Sequence, residues 1–181
     1  MKHFKLTDET ITLADGTILH RIECISEIPG KPDVKVGDKG GWVEKESNLG
    51  GDAWVYGSAW VYGNAEVSGN AWVSGNAEVS GNAKVSGNAE VYGNAEVYGN
   101  AWVCGNAEIQ GEDDYIVFKN WWSSGRFFTW TRSNNMWRVG CFYGTGEELI
   151  AKAYKDSEKS GREYERVVKY VQSILDDEKK Q

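Results

Sequence analysis

Residues 51–110 read GDAWVY GSAWVY GNAEVS GNAWVS GNAEVS GNAKVS GNAEVY GNAEVY GNAWVC GNAEIQ, ten hexapeptides in tandem. Self-similarity at a fixed short period is the mark of a solenoid. The third position is Ala throughout, from Ala53 to Ala107. The fifth is Val from Val55 to Val103 and Ile at Ile109. Alternation puts Ala and Val on one side of a short strand and the variable fourth and sixth residues on the other. Gly and Asn tolerate positive φ and supply a corner between strands. A unit this small cannot bury its apolar side alone, so successive units must stack.

Three hexapeptides per coil predict a triangular prism of about three coils, roughly 16 Å tall at the usual strand spacing. Small Ala suits the corners and Val fills the middle. Each buried aliphatic contributes about 1.5–3 kcal/mol at most, so the core is thin. Both ends of the prism are open sheet edges, which invite unwanted pairing, and capping units are expected.

Val55 to Ala59 and Val61 to Ala65 place an aliphatic residue four positions before a small one. This resembles the hexapeptide-repeat proteins, and the resemblance implies a left-handed parallel β-helix; the spacing alone does not fix the hand. Tyr56, Tyr62 and Ser68 depart from that family's preference for a small or acidic residue after the aliphatic. The expected fold is mainly β: a left-handed parallel β-helix with an N-terminal β cap and a small C-terminal α+β domain.

The N-terminal cap spans residues 1–50. Thr10 to Leu13, a turn at Ala14-Asp15-Gly16, and Thr17 to Ile25 read as a hairpin. Pro29 and Pro32 punctuate a loop. Gly37, Asp38, Gly40, Gly41, Trp42, Val43, Glu44, Glu46, Asn48 and Leu49 form a segment that resembles the cap of bacterial and prophage hexapeptide-repeat proteins. The C-terminal domain spans residues 111–181. Tyr115 to Lys119, Arg126 to Arg132 and Met136 to Phe142 read as three strands. Thr145 with Glu148 and Ser160 with Glu163 read as capping boxes opening two helices. Tyr164, Val167, Val168, Val171, Ile174 and Leu175 share one face of the second helix. The run CFYGTGEEL, from Cys141, resembles the domain that accompanies such coils in phage-encoded proteins, which implies phage or prophage origin.

The chain of 181 residues has no apolar run of membrane-spanning length and carries a net charge of −7, which argues against general nucleic-acid coating. MKHFKLTDET lacks the apolar core of a signal peptide. Cys24, Cys104 and Cys141 are too far apart for a disulfide framework or a metal knot. These features predict a cytoplasmic protein (in the host cytoplasm if phage-encoded) with no membrane association, no cofactor and no metal.

Hexapeptide-repeat acyltransferases use a His base, and repeat-type carbonic anhydrases hold zinc with three His. Here His3 and His20 both precede the coils. Their position argues against either chemistry and predicts a non-enzymatic protein, with an atypical enzyme using a carboxylate base as the remaining catalytic option. Residues 18 apart stack in columns, and Trp54, Tyr56, Trp60, Tyr62 and Trp72 gather near the N-terminal end of two faces. They are candidate interface residues: a folded-back cap, a subunit contact (possible trimers are common among hexapeptide proteins) or a ligand would each cover them. Glu66, Glu78, Glu90, Glu96, Glu108 and Asp52, against Lys84, leave the coils at −5, six acids less one base. These read as solvated charges, with nucleic-acid mimicry as the alternative.

Tyr115 to Phe142 interleaves aromatic and basic residues and contains no acid. Trp121, Trp122, Arg126, Phe128, Trp130, Arg132 and Arg138 are the candidate ligand-binding residues, because aromatics stack on bases and Arg grips phosphate. The bland alternative packs the aromatics under the second helix. The expected function is an oligomeric binding protein that sequesters a small phosphorylated or nucleotide-like ligand, such as a host immune signal. A host-protein inhibitor or assembly adaptor is the rival reading.

Overall fold

The computed structural model describes residues 2–180. Ten two-residue strands follow the ten hexapeptides: β4 (Trp54–Val55), β5 (Trp60–Val61), β6 (Glu66–Val67), β7 (Trp72–Val73), β8 (Glu78–Val79), β9 (Lys84–Val85), β10 (Glu90–Val91), β11 (Glu96–Val97), β12 (Trp102–Val103) and β13 (Glu108–Ile109). All pairing among them is parallel, in three sheets. Val55 faces Val73 and Val91 faces Ile109, an offset of 18 residues in both cases. Every Ala and Val of the repeat points inward and is buried.

Before the coils come β1 (Phe4–Thr12), β2 (Ile18–Cys24) and β3 (Lys39–Val43). The hairpin of β1 and β2 is longer than the sequence suggested and bulges between Leu6 and Thr10. β3 pairs antiparallel with β2 but parallel with β5, with Val43 opposite Val61. Leu49 bridges Val67 at the same 18-residue offset. The cap therefore supplies a rung of its own below Gly51, and the solenoid has about four turns.

Each repeat glycine that closes a corner has a positive φ, from 58° at Gly57 to 75° at Gly87. Asn side chains ladder along the corners, with Asn70 Nδ2 donating to Asn88 Oδ1 at 3.1 Å and Asn88 Nδ2 to Asn106 Oδ1 at 3.1 Å. Gly40 and Gly41 are needed for a different reason. A Cβ on Gly40 would lie 2.5 Å from the Val55 carbonyl oxygen, and one on Gly41 would lie 2.4 Å from Val55 Cγ1.

Most backbone bonds between coils share one polarity, the exception being the return bond within each parallel ladder. Trp54 N–H donates to the Ala71 carbonyl, Trp60 to Ala77 and Glu66 to Ala83. The last coil therefore presents mainly donors and the first mainly acceptors. The N-terminal cap answers with donors: Arg21 Nη1 to the Gly57 carbonyl at 3.1 Å, Trp42 N–H to the Ala59 carbonyl at 2.9 Å and Asn48 Nδ2 to the Ala65 carbonyl at 2.8 Å. The C-terminal side answers with acceptors. Trp102 N–H meets Thr129 Oγ1 at 2.9 Å, Glu108 N–H meets Ser133 Oγ at 2.8 Å, and Gln110 N–H meets Asp114 Oδ2 at 2.7 Å.

The C-terminal domain is a four-stranded antiparallel sheet of β14 (Tyr115–Lys119), β15 (Phe127–Thr131), β16 (Met136–Val139) and β17 (Phe142–Gly144), with α1 (Gly146–Asp156) and α2 (Glu158–Glu178). The expected third strand is thus two, split by a turn at Gly140, whose φ is 57°. Thr145 and Glu148 make the expected capping box, at 2.8 and 3.2 Å. The second helix starts three residues earlier than expected: Ser157, not Ser160, is its cap and accepts from the Ser160 N–H at 3.1 Å. Tyr164, Val167, Val168, Val171 and Leu175 pack on the sheet as the helical period required.

Four outcomes test this architecture. Ala at Gly57 or at Gly69 meets the left-handed cost of about 1–2 kcal/mol. A Cβ on Gly57 has open space, whereas one on Gly69 lies 2.9 Å from the Gly87 carbonyl oxygen. Urea unfolding should therefore find Gly69→Ala the less stable by about 1 kcal/mol or more. Thr129→Val leaves the Trp102 N–H without an acceptor and should cost about 1–3 kcal/mol, most of it restored by Thr129→Ser. Cys24 and Cys104 are buried and Cys141 is exposed. Burial pushes the Cys104 thiol up to about 11, so maleimide at neutral pH should label Cys141 fast and the other two only after denaturation, as mass spectrometry would read.

Candidate functional site

β15 is covered on both sides. Phe128 and Trp130 pack with Trp122, Trp137, Leu149 and Tyr164 beneath the helices. Thr129 and Thr131 are buried on the opposite side, where Thr129 meets the last coil. Trp122, Phe128 and Trp130 are 7%, 1% and 0% exposed, so no ligand reaches them and their assignment to a binding surface is corrected to the domain core. Phe128 lies 5.2 Å from the Tyr164 ring and Trp122 lies 4.9 Å from it.

The basic residues of this stretch part company. Arg132 pairs with Glu178 through Nη1 at 2.5 Å and donates from Nε to the Asp113 carbonyl at 2.9 Å. Arg138 lies 3.8 Å over the Trp102 ring and clamps the domain to the coil. Both are structural ties, not a shared phosphate grip. Trp121 is 72% exposed, against the edge of Trp122. Arg126 is exposed, and no ion pair holds it among the described residues.

The proposed interface group divides as well. Trp54 is 1% exposed, in one cluster with Phe4, Ile28 and Val34 of the N-terminal cap, so the folded-back cap covers it and it offers no interface. Tyr56, Trp60, Tyr62 and Trp72 are half-buried. The Tyr62 hydroxyl donates to Glu78; burial, helped by that carboxylate, pushes its phenol up to about 12. His3 is buried between Asp52 and Ser26, at 2.9 Å from each, and His20 lies 3.1 Å from the Thr7 carbonyl. Both are framework residues of the cap.

Arg126 reaches a cavity of about 210 Å³ between the sheet and the helices. Asn120 builds its rim. This buried amide donates to the Tyr164 hydroxyl at 2.8 Å and accepts from Ser123 N–H and Oγ at 3.0 and 2.9 Å. Its backbone closes the loop, accepting from Gly125 at 2.7 Å and donating to Arg126 at 2.8 Å. That loop sets Ser123, Ser124 and Arg126 on the cavity, opposite Lys152 and Asp156 of α1 and Ser160 in the first turn of α2. Two cations and one carboxylate leave the lining positive. Burial pushes the Tyr164 phenol up, so it stays a neutral hydrogen-bonding group. The arrangement suits an oxyanion held by Arg126, Lys152 and hydroxyls, near the positive end of the α2 dipole.

Lys152, Ser160 and Asn120 were not singled out from the sequence. The signal for Lys152 is its place beside Leu149 and Ala153, the helix positions that face the sheet. Among the described residues no three His, Cys, Asp or Glu side chains are grouped to hold a metal ion, and no helix is long and apolar enough to cross a membrane.

The family described as YdcK Beta solenoid repeat matches residues 59–75 and 89–105. Both stretches lie in the coils, so the likeness supports a repeat β-solenoid and does not extend to the C-terminal domain. Comparison with curated proteins finds no match.

Proposed function

We propose that this chain is a non-enzymatic binding protein whose C-terminal cavity takes a small phosphorylated ligand. One observation carries the reading: Arg126 and Lys152 converge with Ser123, Ser124 and Ser160 on one cavity of about 210 Å³. That volume suits a phosphate-bearing group rather than a whole nucleotide. Trp121, exposed on the same loop, offers a face on which an attached base stacks. The ligand class is therefore nucleotide-like. In this reading the solenoid winds left-handed, as the hexapeptide resemblance implies, and acts as a rigid scaffold. The prophage resemblance of the cap makes sequestration of a host signal in the cytoplasm the biological setting we favour.

A protein partner or a second copy of the chain is the other reading, and one surface favours it. Tyr98 and Phe127 are 54% and 42% exposed beside Ile116 and Val117 of β14, the edge strand of its sheet. Exposed apolar residues along an unpaired edge suit strand-to-strand association.

Native mass spectrometry of the purified protein, followed by denaturation, should release a small phosphorylated compound and report the oligomeric state. Titration calorimetry with that compound, or with adenosine monophosphate if none is released, should show Arg126→Ala and Lys152→Ala each weakening binding roughly tenfold or more. Unchanged affinity in the folded double variant would overturn the reading.

A further inference from the structure

A second cavity lies on the solenoid itself. The loop between β2 and β3 forms one wall and the face carried by β4, β7 and β10 forms the other. Its volume, about 490 Å³, falls in the roughly 300–1,000 Å³ range of small-molecule sites. Trp72 is its apolar floor. The indole is half-buried and braced by Tyr56, edge-on at 5.7 Å, and by Tyr92, nearly parallel at 6.5 Å. Trp54, one coil below in the same column, is sealed under the cap, so Trp72 is the first indole of that column to reach the open groove.

The rim carries both donors and acceptors. Lys31 is only 6% exposed, and its ammonium donates to the Asn70 carbonyl at 2.9 Å. An ammonium has three donors, so two remain for other partners. Burial lowers the Lys31 pKa while Asp52, Asp33 and Glu90 nearby oppose that shift. The Asp33 carboxylate lies near Tyr56, whose phenol is pushed up chiefly by burial and further by that negative charge. The Asn70 and Asn88 amides are locked in their corner ladder. Glu90, on the coil above Trp72, completes the lining.

This chemistry narrows the ligand. Asp33 and Glu90 against Lys31 leave the lining at −1, two acids less one base, which repels a phosphate. A cationic ligand would meet the buried Lys31 ammonium. A purely apolar one would strand the polar rim without partners. A neutral polyhydroxylated ring satisfies all three conditions. Its C–H face lies on the negative face of the indole, and its hydroxyls donate to the carboxylates and accept from Lys31 and the amides. We propose that the groove between the Lys31 loop and Trp72 is a saccharide-binding site. It is independent of the C-terminal cavity, which lies in a different domain and has a lining of the opposite net charge.

Saturation-transfer NMR with maltotriose, triacetylchitotriose, mannotriose and galactotriose tests this, with adenosine monophosphate as the opposing probe. At least one trisaccharide should show transfer to its ring C–H protons. Trp72→Ala should abolish it. Glu90→Gln keeps the shape of the coil and removes one charged acceptor, so it should weaken binding roughly tenfold; far-UV circular dichroism checks that both variants fold. Should Trp72→Ala fail to fold, Glu90→Gln alone decides. The proposal fails if no trisaccharide binds, if binding is untouched by the folded variants, or if adenosine monophosphate proves to be the Trp72-dependent ligand.

Discussion

Most of the backbone hydrogen bonds between coils point the same way, and the rest of the molecule is arranged around that bias. Each coil donates most of its intercoil N–H groups to the carbonyls of the next, as Trp54 does to Ala71 and Trp72 to Ala89. A stack of this kind ends mainly in unmet carbonyls at one end and mainly in unmet N–H groups at the other. Buried backbone groups without partners are costly, so the two caps must differ in chemistry. Arg21 and Asn48 supply side-chain donors below; Thr129, Ser133 and Asp114 supply acceptors above. Interchanging the caps would set donor against donor and acceptor against acceptor.

The glycine corners keep this ladder in register. A Cβ on Gly75 would sit 2.8 Å from the Gly93 carbonyl oxygen one coil above, and the glycine itself has a left-handed backbone. Glycine is required both by its own conformation and by its neighbour's approach. The stacked corners then align the Asn side chains and fix every outward column at 18-residue intervals. Trp72, Glu90 and Glu108 stand in one column for that reason. The salt bridge from Lys84 to Glu66 at 2.9 Å follows from the same spacing, though such an exposed pair contributes little.

Much of the solenoid was legible because two periods coincide: alternation within each hexapeptide, and three hexapeptides per coil. Inward Ala and Val, and the columns, follow from these alone. The turn count was harder, because the rung formed by Trp42 and Val43 carries no repeat signature yet pairs with Trp60 and Val61. Around β15 the sequence misled. Aromatic and basic residues interleave there, but Phe128 and Trp130 are needed under the helices and Thr129 under the coil. From Phe128 to Thr131 the strand is buried on both sides and has no face left for a ligand. Arg132 and Arg138 have the composition of a phosphate site and the geometry of ties, to Glu178 and to Trp102. The C-terminal cavity was hidden because Arg126, Lys152 and Ser160 come from a loop and two helices that meet only in three dimensions.

Both candidate sites sit where a non-repeating segment crosses a regular surface. A perfect repeat offers every coil the same side chains, so it can set spacing but cannot single out one place. Here the repeat varies, with Trp at 72 and Glu at 90 in one column, and the Lys31 loop lies across that variation. At the other end the 120–126 loop lies across the seam between sheet and helices. Each loop is pinned by a buried polar side chain, Lys31 on the Asn70 carbonyl and Asn120 on the Tyr164 hydroxyl. A buried polar group fixes a loop because leaving it unpaired is expensive. In the proposed reading the rigid coils serve as a ruler, and the chemistry that would distinguish one ligand from another is delegated to the two non-repeating segments.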